Sequence, residues 1–67
     1  MKSTKICGQT LNKKVKAEIK AQFPNLTHLI KSHVAGVGYV FFLKINNLTV
    51  GKVFREGGEM IIYNDTI

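Results

Sequence analysis

Sixty-seven residues with 45% hydrophobic content, ten basic against four acidic side chains and a net charge of +6 describe one small basic domain and exclude a disordered chain. A lone cysteine, Cys7, excludes an internal disulfide and fits a reducing compartment. The longest stretch without polar or charged side chains, residues 34–43 with Tyr39 counted as apolar, is half of the ~20 residues that span a bilayer, and no apolar leader follows Lys2 and Lys5. The expectation is a soluble, cytoplasmic protein.

The charge is uneven. Nine lysines against Glu18 alone give residues 1–52 about +8, and Arg55 with Glu56, Glu59 and Asp65 gives the remainder about −2. A field of that sign attracts nucleic acid or an acidic protein surface, and it also keeps a small protein in solution.

In chain order, residues 1–9 are polar and read as a flexible end or a short strand around Ile6. Cys7 there reads as a small, partly buried side chain. Residues 10–22 form the predicted helix. Leu11, Val15, Ile19 and Phe23 recur every four residues and make an apolar stripe. Thr10 or Asn12 supplies the N-cap oxygen, and Pro24 ends the helix by excluding Phe23 from the α region. Lys13, Lys16 and Lys20 fall opposite the stripe, either as a solvated face or as contacts to phosphates or an acidic partner.

Residues 26–34 read as a strand carrying both histidines. His28 and His33 are an odd number apart, so a regular strand points them to opposite faces and they form no joint metal site or catalytic pair. Ala35-Gly36-Val37-Gly38 is a turn whose spacing matches no phosphate-cradling loop. The run Tyr39-Val40-Phe41-Phe42-Leu43-Lys44-Ile45 is apolar on both faces, as a strand covered on both sides would be. Asn46-Asn47 fits a two-residue hairpin turn; residues 48–54 return as a strand; residues 55–58 turn again; residues 59–63 make the last strand and 64–67 a tail. The fold class is α+β: one N-terminal helix packed on a three- to four-stranded antiparallel meander sheet, in the order α-β-β-β-β, with residues 10–63 as the domain.

A regular hairpin at Asn46-Asn47 pairs Ile45 with Leu48, Leu43 with Val50, Phe41 with Lys52 and Tyr39 with Phe54 on the helix side. It leaves Val40, Phe42, Val53, Met60 and Ile62 together on the reverse face. One helix cannot cover both sides, so those five residues are the candidate protein interface. At roughly 25 cal/mol per Å², covering ~400 Å² of such a face contributes about 10 kcal/mol before association costs.

Chemistry-bearing motifs are sparse. Three Asn-X-Thr triplets, at Asn25, Asn47 and Asn64, have no secretory context. No Cys/His spacing suits zinc, and the four acids form no paired arrangement along the chain. No catalytic residue, cofactor, metal, membrane or small-molecule substrate is expected. A helix followed by a three-stranded meander over residues 10–54, with Ser32-His33 in the first strand, weakly resembles the HicA-type mRNA interferase toxins. That resemblance implies a double-stranded-RNA-binding-like fold with His33 as a single essential histidine, although a fourth strand stands where the family has its closing helix.

The expected function is therefore surface contact without catalysis. The reverse face or a sheet edge would bind a protein partner or a second copy as a homodimer, in the manner of phage-encoded inhibitors or small regulatory subunits. The alternatives are a nucleic-acid binder using Lys13, Lys16, Lys20, Lys31, Lys44 and Arg55, with Tyr39 or Tyr63 stacking on bases if exposed, and the interferase.

Overall fold

The computed structural model describes residues 2–8 and 10–67. Its elements are β1 (Lys2–Cys7), α1 (Lys13–Gln22), β2 (His28–Val34), β3 (Gly38–Ile45), β4 (Leu48–Glu56) and β5 (Glu59–Asn64). The five strands form one antiparallel sheet in the order β1-β5-β4-β3-β2, with α1 on one side. The α+β class holds, but the sheet gains a strand. Residues 2–7 pair along their whole length with β5, from Lys2↔Asn64 to Cys7↔Glu59. Of the segment 1–9, Met1 and Gln9 lie outside the described residues. Cys7 is exposed, not partly buried.

The helix is shorter at its start than the stripe suggests. Asn12 is the N-cap, its side-chain oxygen accepting from the Val15 amide at 3.0 Å. Leu11 thus lies just outside the helix and packs against the core from the loop. Phe23 closes the other end through its N–H to the Ile19 carbonyl at 2.8 Å. Val15, Ile19 and Phe23 are all buried and press onto Leu43, Val50, Val53, Met60 and Ile62. Ile6, Leu29, Phe41 and Ile45 fill the margins of that layer.

A polar tie anchors the C-terminal end of α1. The Gln22 side-chain amide donates to Thr4 Oγ1 at 3.0 Å and to Glu18 at 3.2 Å, and its oxygen accepts from Asn64 Nδ2 at 3.2 Å. Asn64, 1% exposed, in turn accepts from the Thr66 amide at 2.9 Å. The helix, β1, β5 and the last residues are thereby linked, and Asn64, read as the start of the tail, is the last residue of β5. Among the described residues no buried side-chain nitrogen or oxygen lacks a partner, so the buried amides avoid the cost of an unmet hydrogen bond.

One irregularity decides which residues share a face. At the Asn46-Asn47 turn the pairing is as expected, Ile45↔Leu48 and Lys44↔Thr49, with Asn46 at φ 56°. Between Leu43 and Lys44 the register then slips by one: Leu43 pairs with Gly51, not Val50, and Phe41 with Val53, not Lys52. Val50 is the extra residue of a β-bulge and points into the core at 3% exposure. Its carbonyl is satisfied by the Asp65 amide at 2.9 Å. Gly51 makes the bulge feasible: a Cβ there would collide with the Tyr63 carbonyl oxygen and crowd the Phe23 ring.

Because the side-chain period of a strand is two, a one-residue slip exchanges the faces of everything beyond it. The β4–β5 hairpin turns through Gly57-Gly58, both at positive φ, with Glu56↔Glu59 and Val53↔Ile62 paired. Val53, Met60 and Ile62 therefore do stay together, but under the helix.

Candidate functional site

The sheet side away from α1 carries, by register, Ile30, Val40, Phe42, Phe54, Ile61 and Tyr63. Val40 and Ile61 flank Phe54 across the middle strands and are each 4% exposed. Phe42, Phe54 and Tyr63 are half-buried and Ile30 is exposed. Phe54 and Tyr63 stack on each other, with centroids 5.3 Å apart and planes 14° from parallel. No described element crosses this face.

Of the five residues expected to form the interface, Val40 and Phe42 are here. Val53, Met60 and Ile62 are not; they belong to the closed core at 0–2% exposure. The bulge at Val50 replaces them with Phe54, Ile61 and Tyr63. Regular pairing would place Phe54 beside Tyr39 under the helix.

Charge frames the apolar patch. Lys5, Lys44 and Lys52 project on this side, with His28 beside Lys44 across the strand pair. Lys52 sits inside the patch, between Phe42 and Tyr63 in one cross-strand row, its ammonium 5.6 Å from the Tyr63 centroid. The acids Glu56 and Glu59 pair with each other at one end only. The two edges also carry lysines, Lys2 and Lys5 on β1 and Lys31 on β2, which discourage edge-to-edge association with like-charged strands.

The residues expected to touch phosphates or an acidic partner do not converge. Lys13, Lys16 and Lys20 are exposed on α1, with Lys16 and Lys20 beside a small apolar groove of about 240 Å³ over Phe23 and Leu29. Lys44 is on the open face. Lys31 and Arg55 lie on the helix side of the sheet, at a corner beyond the start of α1.

That corner is a second concavity, of about 320 Å³, bounded by Thr10, Leu11, Lys31, Tyr39, Phe41 and Arg55. Among the described residues no acidic side chain lines it. Lys31 Nζ stands 4.2 Å from the Tyr39 centroid, and the His33 ring meets Tyr39 at 5.4 Å and 78°. His28 is on the opposite face, hydrogen-bonded through Nδ1 to Thr27 Oγ1 at 2.9 Å. The odd spacing of the histidines thus separates them as expected. Among the described residues no three His, Cys, Asp or Glu side chains are grouped as for a metal. No helix among them is long and apolar enough to cross a membrane.

Comparison with known proteins finds no family model, curated protein or solved structure that matches this chain.

Proposed function

We propose that this chain is a small non-catalytic binding domain that docks the open face of its sheet on an acidic protein surface. One observation carries the reading: six apolar side chains lie on a face that no described element covers, with lysines 5, 44 and 52 around and within it. An apolar centre with a charged surround is the anatomy of a protein interface. Each ~100 Å² of apolar area covered contributes about 2.5 kcal/mol, and the lysines steer an acidic partner and set its register.

Two other occupants fit less well. A second copy related by a two-fold axis meets the same face on itself, so Lys52 and its neighbours would oppose like charges near the axis. Single-stranded nucleic acid needs exposed ring faces on which to stack, whereas Phe54 and Tyr63 are half-buried and stacked on one another.

The test is capture from cells that make the protein, followed by reconstitution with the purified captured protein. The expected partner is acidic, survives nuclease treatment, weakens as salt is raised, and is lost with Phe42→Asp while circular dichroism is unchanged. Capture that vanishes with nuclease transfers the function to nucleic acid. Binding that is indifferent to Phe42→Asp removes the open face from it. RNA cleavage by the wild type that disappears in His33→Ala would assign the chain to catalysis instead.

A further inference from the structure

The corner pocket on the helix side goes beyond this reading, because it lies on the other side of the sheet and its residues have a different chemistry. Three rows of the sheet meet α1 from Leu43 to Met60, but the helix begins only at Lys13. The row that starts with His33 and Tyr39 therefore extends past it, and Tyr39 remains 57% exposed. The approach through Thr10 and Leu11 forms one wall, Phe41 and Met60 part of the floor, and Lys31 and Arg55 reach in from β2 and β4.

Among the described residues the cross-strand partners of these cations are apolar. Arg55 is paired across the ladder with Met60, and Lys31 with Phe41. Glu56, next along β4, points to the opposite side with Glu59. Lys31 instead rests its ammonium on the Tyr39 ring, and His33 abuts that ring from the edge strand. A guanidinium, an ammonium, a hydroxyl at Thr10 and an aromatic ring thus surround about 320 Å³, at the small end of the ~300–1,000 Å³ of ligand pockets.

We infer that this pocket binds a phosphate monoester joined through a sugar to a planar ring, of mononucleotide size. Arg55 grips the phosphate through its planar fork, a geometry suited to two parallel N–H···O bonds. Lys31 leaves the Tyr39 ring for a second phosphate oxygen, and the planar ring of the ligand takes the vacated face. Thr10 donates its hydroxyl to the phosphate or the sugar. The same chemistry is offered by a free nucleotide and by the phosphorylated 5′ end of an RNA, so the probes separate them.

The experiment titrates the full chain at low salt with AMP, UMP, adenosine, inorganic phosphate and a 5′-phosphorylated RNA tetranucleotide, following amide and side-chain resonances. AMP is expected to saturate and to move Lys31, Tyr39 and Arg55 together, and to bind more tightly than either adenosine or phosphate. Arg55→Gln should weaken it about tenfold or more, and Tyr39→Ala about fivefold or more. Both side chains are exposed, so the fold should survive. Phe42→Asp, on the opposite face, should leave AMP binding unchanged. Tighter binding of the tetranucleotide than of AMP, with the same residues shifting, identifies an RNA end as the ligand. No saturation by any probe, equal affinity for phosphate and AMP, or shifts that map to α1 would overturn the assignment.

Discussion

Ile61 and Ile62 are neighbours on β5, 4% and 0% exposed, and they face opposite sides of the sheet. Ile62 belongs to a layer closed by the helix, with Val15, Ile19 and Phe23 above it and Val53 beside it. Ile61 lies on the side that no described element covers, with Phe54 opposite it across the ladder. Equal burial thus has two meanings. One side of this sheet is closed by the helix, and the other carries the Phe54 and Tyr63 rings on a face that no described element covers.

Truncation separates the two. Ile62→Ala opens a cavity that the helix and four strands cannot collapse into, and it should cost about 2–5 kcal/mol in urea unfolding. Ile61→Ala lies on the side that no described helix covers and should cost clearly less. Equal losses would mean that the open side is as rigidly packed as the helix side, and the contrast would fail.

The bulge at Val50 is what sorts residues between those sides, so Gly51→Ala tests it directly. The added methyl would meet a backbone oxygen of β5 and the Phe23 ring, neither of which can yield cheaply. A loss of about 1–3 kcal/mol is expected. A neutral result would show that β4 can shift away from β5 without disturbing the core.

Much of this was legible beforehand, and the failures are specific. The helix stripe from Val15 onward, a cap at one of the two offered residues (Asn12, not Thr10), the three hairpin turns and the separation of the two histidines followed from period and turn chemistry. The interface set did not, because regular pairing from the Asn46 turn cannot reveal an inserted residue at Val50. Gly51 was the available sign: a glycine inside an apolar strand often marks a bulge or a close backbone approach. The first strand was ambiguous because Lys2–Cys7 shows no apolar alternation; only its pairing with β5 defines it. The corner pocket was illegible, since Thr10, Lys31, Tyr39 and Arg55 come from four separate segments and meet only through sheet order.

The Gln22–Asn64 tie belongs wholly to the closed side. Asn64→Ala removes a buried side chain and leaves the part-buried Gln22 oxygen and the Thr66 amide without their partner, and about 1–3 kcal/mol should be lost. Thermal unfolding of this variant beside Thr66→Ala, which removes the Thr66 hydroxyl's bond to Asn64 Oδ1 and keeps the amide's, and beside Gln22→Ala, which removes the helix anchor, would show which contact carries the loss. A change below about 0.5 kcal/mol would show that water replaces both bonds.

The smallest change in stability is expected at Lys52, where the open side can be made greasier without touching the core. Its contact with Tyr63 is long and exposed and contributes at most about 0.5–1 kcal/mol. Lys52→Leu should therefore leave the unfolding midpoint nearly unchanged, while converting the row Ile30, Phe42, residue 52 and Tyr63 into a continuous apolar strip. Removing the charge also removes the repulsion between two copies brought face to face. Sedimentation should then show self-association in the variant at concentrations where the wild type is monomeric, and Lys52→Glu should restore the monomer by repulsion of the opposite sign. Association already present in the wild type would make a second copy the natural occupant of this face. A monomeric Lys52→Leu variant would mean that the strip is too small to hold even its own twin, and an acidic partner would then have to gain most of its affinity from the lysines and not from the rings.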